Sequence, residues 1–212
     1  MFYDTFKRNA DIFGSILGLI LLSPLYLLVA LAIKLDSPGP ILADTPMRVG
    51  KQGTLFKMYK FRSMIANAHE ILRTDPKFEN LYEEYKKSNY KLSKDPRITR
   101  VGKFIRRYSL DELPQLLNVL RGEMSLVGPR AYYPDELNEQ QKKFPESQKF
   151  VKIILSGKPG VTGLWQVTGR SEIDFKHRVK IDSAYVEKKS IFYDLWIILK
   201  TFPAVISGRG AV

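Results

Sequence analysis

The chain has 212 residues, a length that suits a single domain with one small appendage. It carries 34 Lys and Arg side chains against 22 Asp and Glu, which gives a formal net charge of +12. The lack of cysteine excludes disulfide scaffolds, thiolate metal sites and cysteine nucleophiles. Because His69 and His177 are the only histidines, any metal is expected to be a hard cation such as Mg²⁺, held by oxygen.

The positive charge is concentrated in one block of the chain. Residues 1–47 carry a net charge of −1, residues 48–107 carry +10 and residues 108–212 carry +3. The basic block directly follows the most apolar segment of the chain. That order favours an anionic membrane surface or a phosphate-rich substrate as the partner over nucleic acid.

The apolar segment, residues 12–33, has 22 residues and no charge. As a straight helix it would be about 33 Å long, enough to cross a hydrocarbon core of about 30 Å. Pro24 kinks or breaks that helix, and the Ser23 hydroxyl can pair with a carbonyl that the kink exposes. A spanning helix, a re-entrant helix, a cleaved signal peptide and a buried core helix all remain open here. The basic residues at both ends of the segment fit a re-entrant helix better than a spanning one.

The next elements are a hairpin and several helices. Residues 48–54 are typical of a turn, and they lead into a predicted strand over 55–62. The patterns predict helices over 63–73, 78–88 and 113–121, and one or two more over 135–155. The apolar stripe from Ile191 to Phe202 predicts either a packed core helix or an amphipathic helix lying in the membrane interface.

Asp111 and Glu112 form the most suggestive pair for chemistry. The run 109–112 also matches a capping box, in which Ser109 caps a helix and the acids lie in its first turn. Pro114 weakens that interpretation, because it would fall at the fifth helical position and remove a backbone bond. Adjacent carboxylates on an α-helix diverge by about 100°, so they suit two different tasks. One can attack while the other holds a cation.

Basic side chains surround this pair in the sequence. Arg106 precedes it and Arg130 follows it, while Lys60 and Arg62 flank Phe61 on the predicted strand. Arginine forks match phosphate oxygens in a bidentate manner. Pro and Gly beside Arg130, and likewise beside Lys158, are typical of rigid binding turns.

Several long motifs occur in a fixed order along the chain. They are KFRSM at 60–64, SLDELPQL at 109–116, VGPR at 127–130, PGVTGLWQVTGR at 159–170 and DLWIILKT at 194–201. With them the chain resembles the bacterial sugar transferases, the monotopic polyprenyl-phosphate sugar-1-phosphate transferases. The resemblance runs from the apolar segment to about Thr201. It departs from the usual pattern at Pro46, Ala131 and Lys158.

The resemblance implies transfer of a sugar 1-phosphate from a UDP-sugar to a polyprenyl (undecaprenyl) phosphate, with release of UMP. The reaction is expected to pass through an aspartyl-phosphosugar intermediate on the cytoplasmic face of the bacterial inner membrane. It would begin the synthesis of a surface glycan, such as exopolysaccharide, O-antigen, capsule or glycoprotein. The alternative is a non-enzymatic basic protein that associates with membranes or nucleic acid. The sequence does not name the sugar, gives no reason to expect nucleic acid as a partner of the enzyme, and leaves a homodimer open.

The resemblance also implies an architecture and a site. The fold class expected is α+β, mostly helical, with a small β-hairpin and amphipathic interfacial helices. Residues 1–36 would form a re-entrant membrane helix broken at Ser23 and Pro24, and residues 37–212 a cytoplasmic catalytic domain lying on the membrane. Asp111 matches the nucleophile and Glu112 its metal-binding partner, and we expect Asp182 to share Mg²⁺ with Glu112. The predicted substrate-binding residues are Lys60, Arg62, Arg106, Arg130, Lys158, Gln166 and Arg170.

Overall fold

The fold is mostly helical, with two small sheets. The computed structural model describes residues 2–88, 92, 94–169 and 173–208. The helices in these ranges are α1 (Phe2–Leu21), α2 (Ser23–Asp36), α3 (Ala68–Thr74), α4 (Glu79–Lys87), α5 (Arg100–Arg107), α6 (Gln115–Arg121), α7 (Pro134–Lys143), α8 (Gln148–Ile154), α9 (Leu164–Thr168), α10 (Phe175–Lys188) and α11 (Ile191–Ser207). This confirms the predicted α+β class and its excess of helix.

Two pairs of short strands make up the sheets. Strands β1 (Met47–Val49) and β2 (Leu55–Lys57) form the predicted hairpin, with Arg48 opposite Phe56. Strands β3 (Ser125–Val127) and β4 (Gly160–Thr162) pair in parallel, and the sequence patterns did not predict them. Their pairing joins two of the glycine-containing motifs across more than 30 residues of chain.

The segment after β2 is irregular where the patterns predicted strand and helix. The strand predicted over 55–62 ends at Lys57, because the backbone at Phe61 turns to donate its N–H to the Asp111 carbonyl at 2.9 Å. The helix predicted over 63–73 begins only at Ala68. The Ile65 N–H is already used on the Arg97 carbonyl, so this stretch pairs with distant backbone instead of with itself.

The apolar N-terminal segment forms two helices with a sharp bend. The axes of α1 and α2 differ by 62° across the break at Leu22, and Pro24 lies in the first turn of α2, where its missing N–H costs no helical bond. The Ser23 hydroxyl donates to the Ile20 carbonyl at 2.8 Å, as predicted. Within the described ranges no single helix is long and apolar enough to cross a bilayer, although the bent pair together meets that length and composition. One straight spanning helix is therefore wrong for this segment.

The bent pair packs against the rest of the chain through one face only. Val29 and Ile33 of α2 share a core cluster with Phe61 and Ile105, and Tyr26 donates its hydroxyl to the Leu113 carbonyl at 2.5 Å. The opposite face is apolar and exposed, with Phe13, Ile16, Leu17, Ile20, Leu21, Leu27, Leu28, Leu31 and Leu35. This exposure rules out a buried core helix for the segment.

Helix α11 has the same one-sided character. Its buried residues are Asp194 and Ile197, while six large apolar side chains are exposed: Phe192, Leu195, Trp196, Leu199, Phe202 and Ile206. The Asp194 carboxylate accepts from Tyr185 at 2.6 Å and, on α1, from Tyr3 at 3.0 Å and Lys7 at 2.5 Å. The predicted amphipathic helix is confirmed and a core helix is wrong. Its location in a membrane interface stays a prediction.

Glycines let the two motif loops meet backbone against backbone. Gly128 donates its N–H to the Thr162 carbonyl and Gly160 donates to the Pro129 carbonyl, both at 2.9 Å. A Cβ on Gly128 would lie 2.5 Å from the Lys158 carbonyl oxygen, so no larger residue fits without movement. This junction fixes the position of the backbone from which the Arg130 side chain extends.

Candidate active site

The predicted carboxylate pair lies at a cavity of about 290 Å³. The cavity wall is formed by the segment after β2, the turn before α6, the motif after β3 and the start of α9. Lys60, Arg106, Asp111, Glu112, Arg130 and Gln166 all line it. With Arg62, which also lines the cavity, seven of the residues predicted from sequence are therefore brought to one place by segments far apart in the chain.

Asp111 and Glu112 lie in a 3₁₀ turn, Leu110–Glu112, that precedes α6. Ser109 adopts a left-handed conformation with φ of 53° and its side chain makes no capping hydrogen bond. The capping-box interpretation is therefore wrong, because an N-cap residue needs an extended backbone to reach the following N–H groups. The strained turn presents the two acids to the cavity.

Lys60 contacts both acids. Its Nζ lies 2.7 Å from Glu112 Oε1 and 3.7 Å from Asp111 Oδ2. One ammonium group therefore lies within ion-pair distance of both carboxylates. The two acids still differ in their surroundings, since Glu112 is partly exposed and Asp111 is buried, with 7% of its surface accessible.

Burial raises the pKa of Asp111, and the neighbouring Glu112 adds to that rise, while Lys60 and Arg106 oppose it. A carboxylate needs its negative charge to attack phosphorus, so the two cations favour the reactive form. Asp111 is thus a desolvated carboxylate kept next to positive charge, which suits a nucleophile.

Arg130 is held rigidly on the opposite wall. Its backbone N–H donates to Asp182 Oδ2 at 3.0 Å, and its guanidinium carbon lies 5.1 Å from the centre of the Trp165 ring. Its Nε is buried without a hydrogen-bond partner. Gln166 is similar, because its Nε2 donates to the Val161 carbonyl at 3.0 Å while its buried Oε1 has no partner. Both side chains present unused polar atoms where a ligand would bind.

Asp182 does not share the cavity wall with Glu112. It is fully buried behind Arg130 and does not line the cavity. Burial raises the pKa of Asp182 to about 7. No cluster of three or more His, Asp or Glu side chains able to hold a metal occurs among the residues that the structure describes. The structure thus places Asp182 against the Arg130 backbone, whereas Glu112 lines the cavity.

Arg62 lies at the cavity edge but directs its guanidinium into the protein. Its side chain donates to the Pro40 carbonyl at 2.5 Å, the Ser37 hydroxyl at 2.6 Å and the Ser37 carbonyl at 2.8 Å. Only 3% of its surface is exposed. These bonds fix the chain where it leaves α2, which leaves little of Arg62 for a substrate.

Lys158 lies outside the cavity. Its Nζ lies near Gly122 at the end of α6, as does the guanidinium of Arg8. Burial, with the charge of Arg8, lowers its pKa. The structure therefore does not bring Lys158 to Asp111, and Arg170 lies outside the described residues.

Sequence reasoning missed a second group of cavity residues. Arg48, His69, Tyr85, Arg97 and Tyr133 line the cavity. Burial, together with the charges of Arg48 and Arg97, lowers the pKa of His69 to about 4. The available signal was the position of Arg48 at the start of the +10 block.

A buried carboxylate, a second acid and a lysine, enclosed by arginines, suit the transfer of a phosphoryl group. The chain belongs to the bacterial sugar transferase family, whose model matches residues 2–208. It is 44% identical over 206 residues to the exopolysaccharide production protein ExoY of Sinorhizobium fredii, covering 97% of this chain and 87% of that protein. The predicted enzyme class is therefore confirmed at the level of the family.

Longer relatives match over the same region. The undecaprenyl-phosphate galactose phosphotransferase of Salmonella typhimurium is 44% identical over 209 residues, which are 97% of this chain and 41% of that protein. The undecaprenyl-phosphate glucose phosphotransferase of Komagataeibacter xylinus is 40% identical over 210 residues, 97% of this chain and 36% of that protein. The chain thus spans about two fifths of the length of several curated relatives and most of the length of ExoY.

Proposed function

We propose that the protein transfers a sugar 1-phosphate from a UDP-sugar to a polyprenyl phosphate and releases UMP. The observation that carries the proposal is the contact of Lys60 with both Asp111 and Glu112 in a cavity lined by arginines. Two relatives are named undecaprenyl-phosphate sugar phosphotransferases, which supports a lipid phosphate as the acceptor. Family membership favours an enzyme over the non-enzymatic alternative.

The reaction would take place in two displacements at one phosphorus atom. A carboxylate oxygen of Asp111 attacks the phosphate that bears the sugar, and the bond to the bridging oxygen breaks, so that UMP leaves with the electron pair. An oxygen of the lipid phosphate then attacks the same phosphorus and the Asp111 carboxylate is regenerated. A covalent step of this kind divides one difficult transfer into two easier ones.

The surrounding side chains would bind and orient the phosphates. The unused buried oxygen of Gln166 could accept a hydrogen bond from a ligand hydroxyl, while Lys60, Arg106 and Arg130 supply positive charge and N–H donors around the cavity. Preorganised donors of this kind stabilise the charge that spreads over the phosphoryl oxygens during transfer. Arg62 and Lys158 would act elsewhere, in holding the chain after α2 and at the end of α6.

Mg²⁺ fits the acids at the cavity. Glu112 and Asp111 provide hard carboxylate oxygens, and Mg²⁺ commonly binds through one or two carboxylates plus substrate phosphates and water. When bound, it would neutralise charge on the diphosphate. Glu112, which is partly exposed, is the better ligand of the two, and Lys60 would hold it in place.

The proposed acceptor explains the apolar surfaces. A polyprenyl phosphate lies in the bilayer with its phosphate at headgroup depth, so the enzyme must hold Asp111 near that plane. The exposed apolar faces of α1, α2 and α11 are suited to lie in the membrane, with the cavity on the cytoplasmic side of the inner membrane. The product would be the first lipid-linked intermediate of a surface glycan.

The proposal is tested by UMP release from purified protein in detergent, with a panel of UDP-sugars and undecaprenyl phosphate. UMP release beyond one equivalent per enzyme should require both Mg²⁺ and the lipid phosphate, and Asp111→Asn should lower it by roughly 10³-fold or more while the melting temperature stays near that of the wild type. Mass spectrometry of protein quenched without acceptor should find the phosphosugar on Asp111. Full activity of Asp111→Asn, or a phosphosugar on another residue, would contradict the proposal.

A further inference from the structure

Arg48 is a buried cation without an ion-pair partner. It lies on β1 with 7% of its surface exposed. Its guanidinium carbon is 3.4 Å from the centre of the Tyr133 ring, and its Nη1 donates to the Ala131 carbonyl at 3.0 Å. Its Nε is buried with no hydrogen-bond partner, and it forms no ion pair with a carboxylate in the described part of the chain. Arg48 also lines the cavity.

Two other buried arginines near the cavity have partners within the protein. Arg97 forms a fork with Asp95, with distances of 2.9 and 2.7 Å, and Arg62 donates to several backbone carbonyls. Burying a charge without a counter-ion is unfavourable. The fold therefore holds Arg48 at a cost that an anion entering the cavity would offset.

Arg48 and the two acids contact different residues of the cavity wall. Arg48 lies against Tyr133 and Ala131, whereas Asp111 and Glu112 lie against Lys60. Both groups of residues line the same cavity. A sugar nucleotide has two phosphates, and the second one is the natural anion for this end.

We propose that Arg48 binds the phosphate that leaves with the nucleoside, so that its end of the cavity is the subsite for the nucleoside monophosphate. This inference rests on the proposed function above. As the bond to the bridging oxygen breaks, the electron pair and the new negative charge go to the departing phosphate. Arg48, held against the Tyr133 ring in the cavity wall, keeps guanidinium N–H groups that can donate to that charge.

Two isotope exchanges separate the two halves of the reaction. Exchange of labelled UMP into UDP-sugar uses the first displacement without any lipid, and exchange of labelled undecaprenyl phosphate into its diphosphate sugar uses the second without any nucleotide. Arg48→Ala should lower UMP exchange by at least about tenfold and raise the UMP concentration needed for half-maximal exchange, because a charge-assisted bond is lost. Lipid exchange should stay within about twofold of the wild type, since the second displacement has no nucleoside phosphate.

The matched control is Arg73→Ala. The charge of Arg73 also lowers the pKa of His69, but Arg73 is paired at the surface with Asp135 at 3.1 Å. The variant therefore removes one positive charge near the same end of the cavity. Both of its exchanges should stay within about twofold of the wild type. Arg48→Lys keeps the charge without the fork, so it should lose UMP exchange selectively even if Arg48→Ala fails to fold.

The outcomes distinguish this inference from the proposed function. Absence of both exchanges in the wild-type protein would contradict the proposed function itself. With a wild type active in both exchanges, the assignment of Arg48 is overturned if the folded variants lose both exchanges equally, lose only lipid exchange or lose neither. A selective loss of UMP exchange, absent from Arg73→Ala, supports it.

Discussion

Lys60 is the side chain on which the charge of the site depends. Burial raises the pKa of Asp111, and Lys60 is the largest influence in the opposite direction. Lys60→Met should therefore raise that pKa further and shift the acidic limb of the pH–activity profile to higher pH. We expect a larger loss of UMP release at pH 6 than at pH 9, because the ionised carboxylate is the reactive form. Lys57→Met, which breaks a surface ion pair with Asp44, is the control and should leave the profile unmoved.

Asp182 gives a second pH-dependent prediction, in stability. Because burial raises its pKa from 3.8 to about 7, the folded protein keeps a proton that the unfolded chain loses over that window. The free energy of unfolding therefore falls as pH rises from about 4 to 7. Asp182→Asn stays neutral and can still accept the Arg130 N–H, so its stability relative to the wild type should rise by roughly 2–3 kcal/mol from pH 5 to pH 8.

Chemical unfolding at the two pH values measures this difference. The same variant also tests the metal assignment, since a positioning role leaves the Mg²⁺ concentration for half-maximal activity unchanged. Glu112→Gln is the comparison and should raise that concentration. A rise in Asp182→Asn as large as in Glu112→Gln would restore Asp182 as a metal ligand. A stability difference that does not vary with pH would contradict the buried-carboxylate argument.

At the residue scale, the sequence identified the reactive residues better than their supports. The order of motifs pointed to Asp111, Glu112, Lys60 and Arg130, and the structure gathers them. The order of motifs could not show that Arg62 donates its hydrogen bonds to the chain at the end of α2. Nor could it show that Arg48 forms no ion pair with a carboxylate in the described part of the chain. Both facts depend on which distant backbone a side chain meets, and such contacts have no local signature.

At the scale of elements, the junction of β3 and β4 supports the site. Gly128→Ala should lower the free energy of unfolding by roughly 2–4 kcal/mol, because the new Cβ would lie 2.5 Å from the Lys158 carbonyl. UMP release should fall as well, since Arg130 leaves the backbone two residues later. Gly157→Ala is the control, because its Cβ would meet nothing nearer than 3.6 Å. Thermal unfolding of the two variants decides, and equal stabilities would show that the junction can relax.

Elements with a strong period were predicted well, and those formed by long-range pairing were not. The hairpin, α4, α7, α8 and α11 follow from turn residues and helical spacing in their own sequences. The parallel pair β3–β4 joins segments of three residues each, which are too short to carry a pattern. The 3₁₀ turn before α6 likewise needs the left-handed Ser109, a residue that propensity alone assigns to a helix cap.

At the scale of the whole molecule, exposed apolar surface lies on α1, α2 and α11. Phe104 and Leu117 add to it, and the buried Asp194 ties α1 to α11 through Tyr3 and Lys7. Soluble proteins rarely expose so many large apolar side chains on neighbouring helices. The elements that hold Asp111 therefore also carry the surface that would lie in the membrane, which couples the depth of the cavity to membrane binding.

The bend between α1 and α2 predicts how the segment enters the membrane. The Ser23 hydroxyl takes up the Ile20 carbonyl at the break, which leaves less unsatisfied backbone in hydrocarbon, and we expect both helix ends to return to one leaflet. Cysteines placed at Thr5 and Lys51, in a chain with no native cysteine, should both react with an impermeant reagent on the same side of sealed vesicles.

Replacing Ser23 and Pro24 with alanine should restore a continuous helix of about 33 Å, move position 5 to the other side and lower UMP release. The single variant Ser23→Ala, which keeps the proline, should retain the original labelling. If positions 5 and 51 of the otherwise native chain label from opposite sides, the segment spans the bilayer and the re-entrant arrangement is wrong.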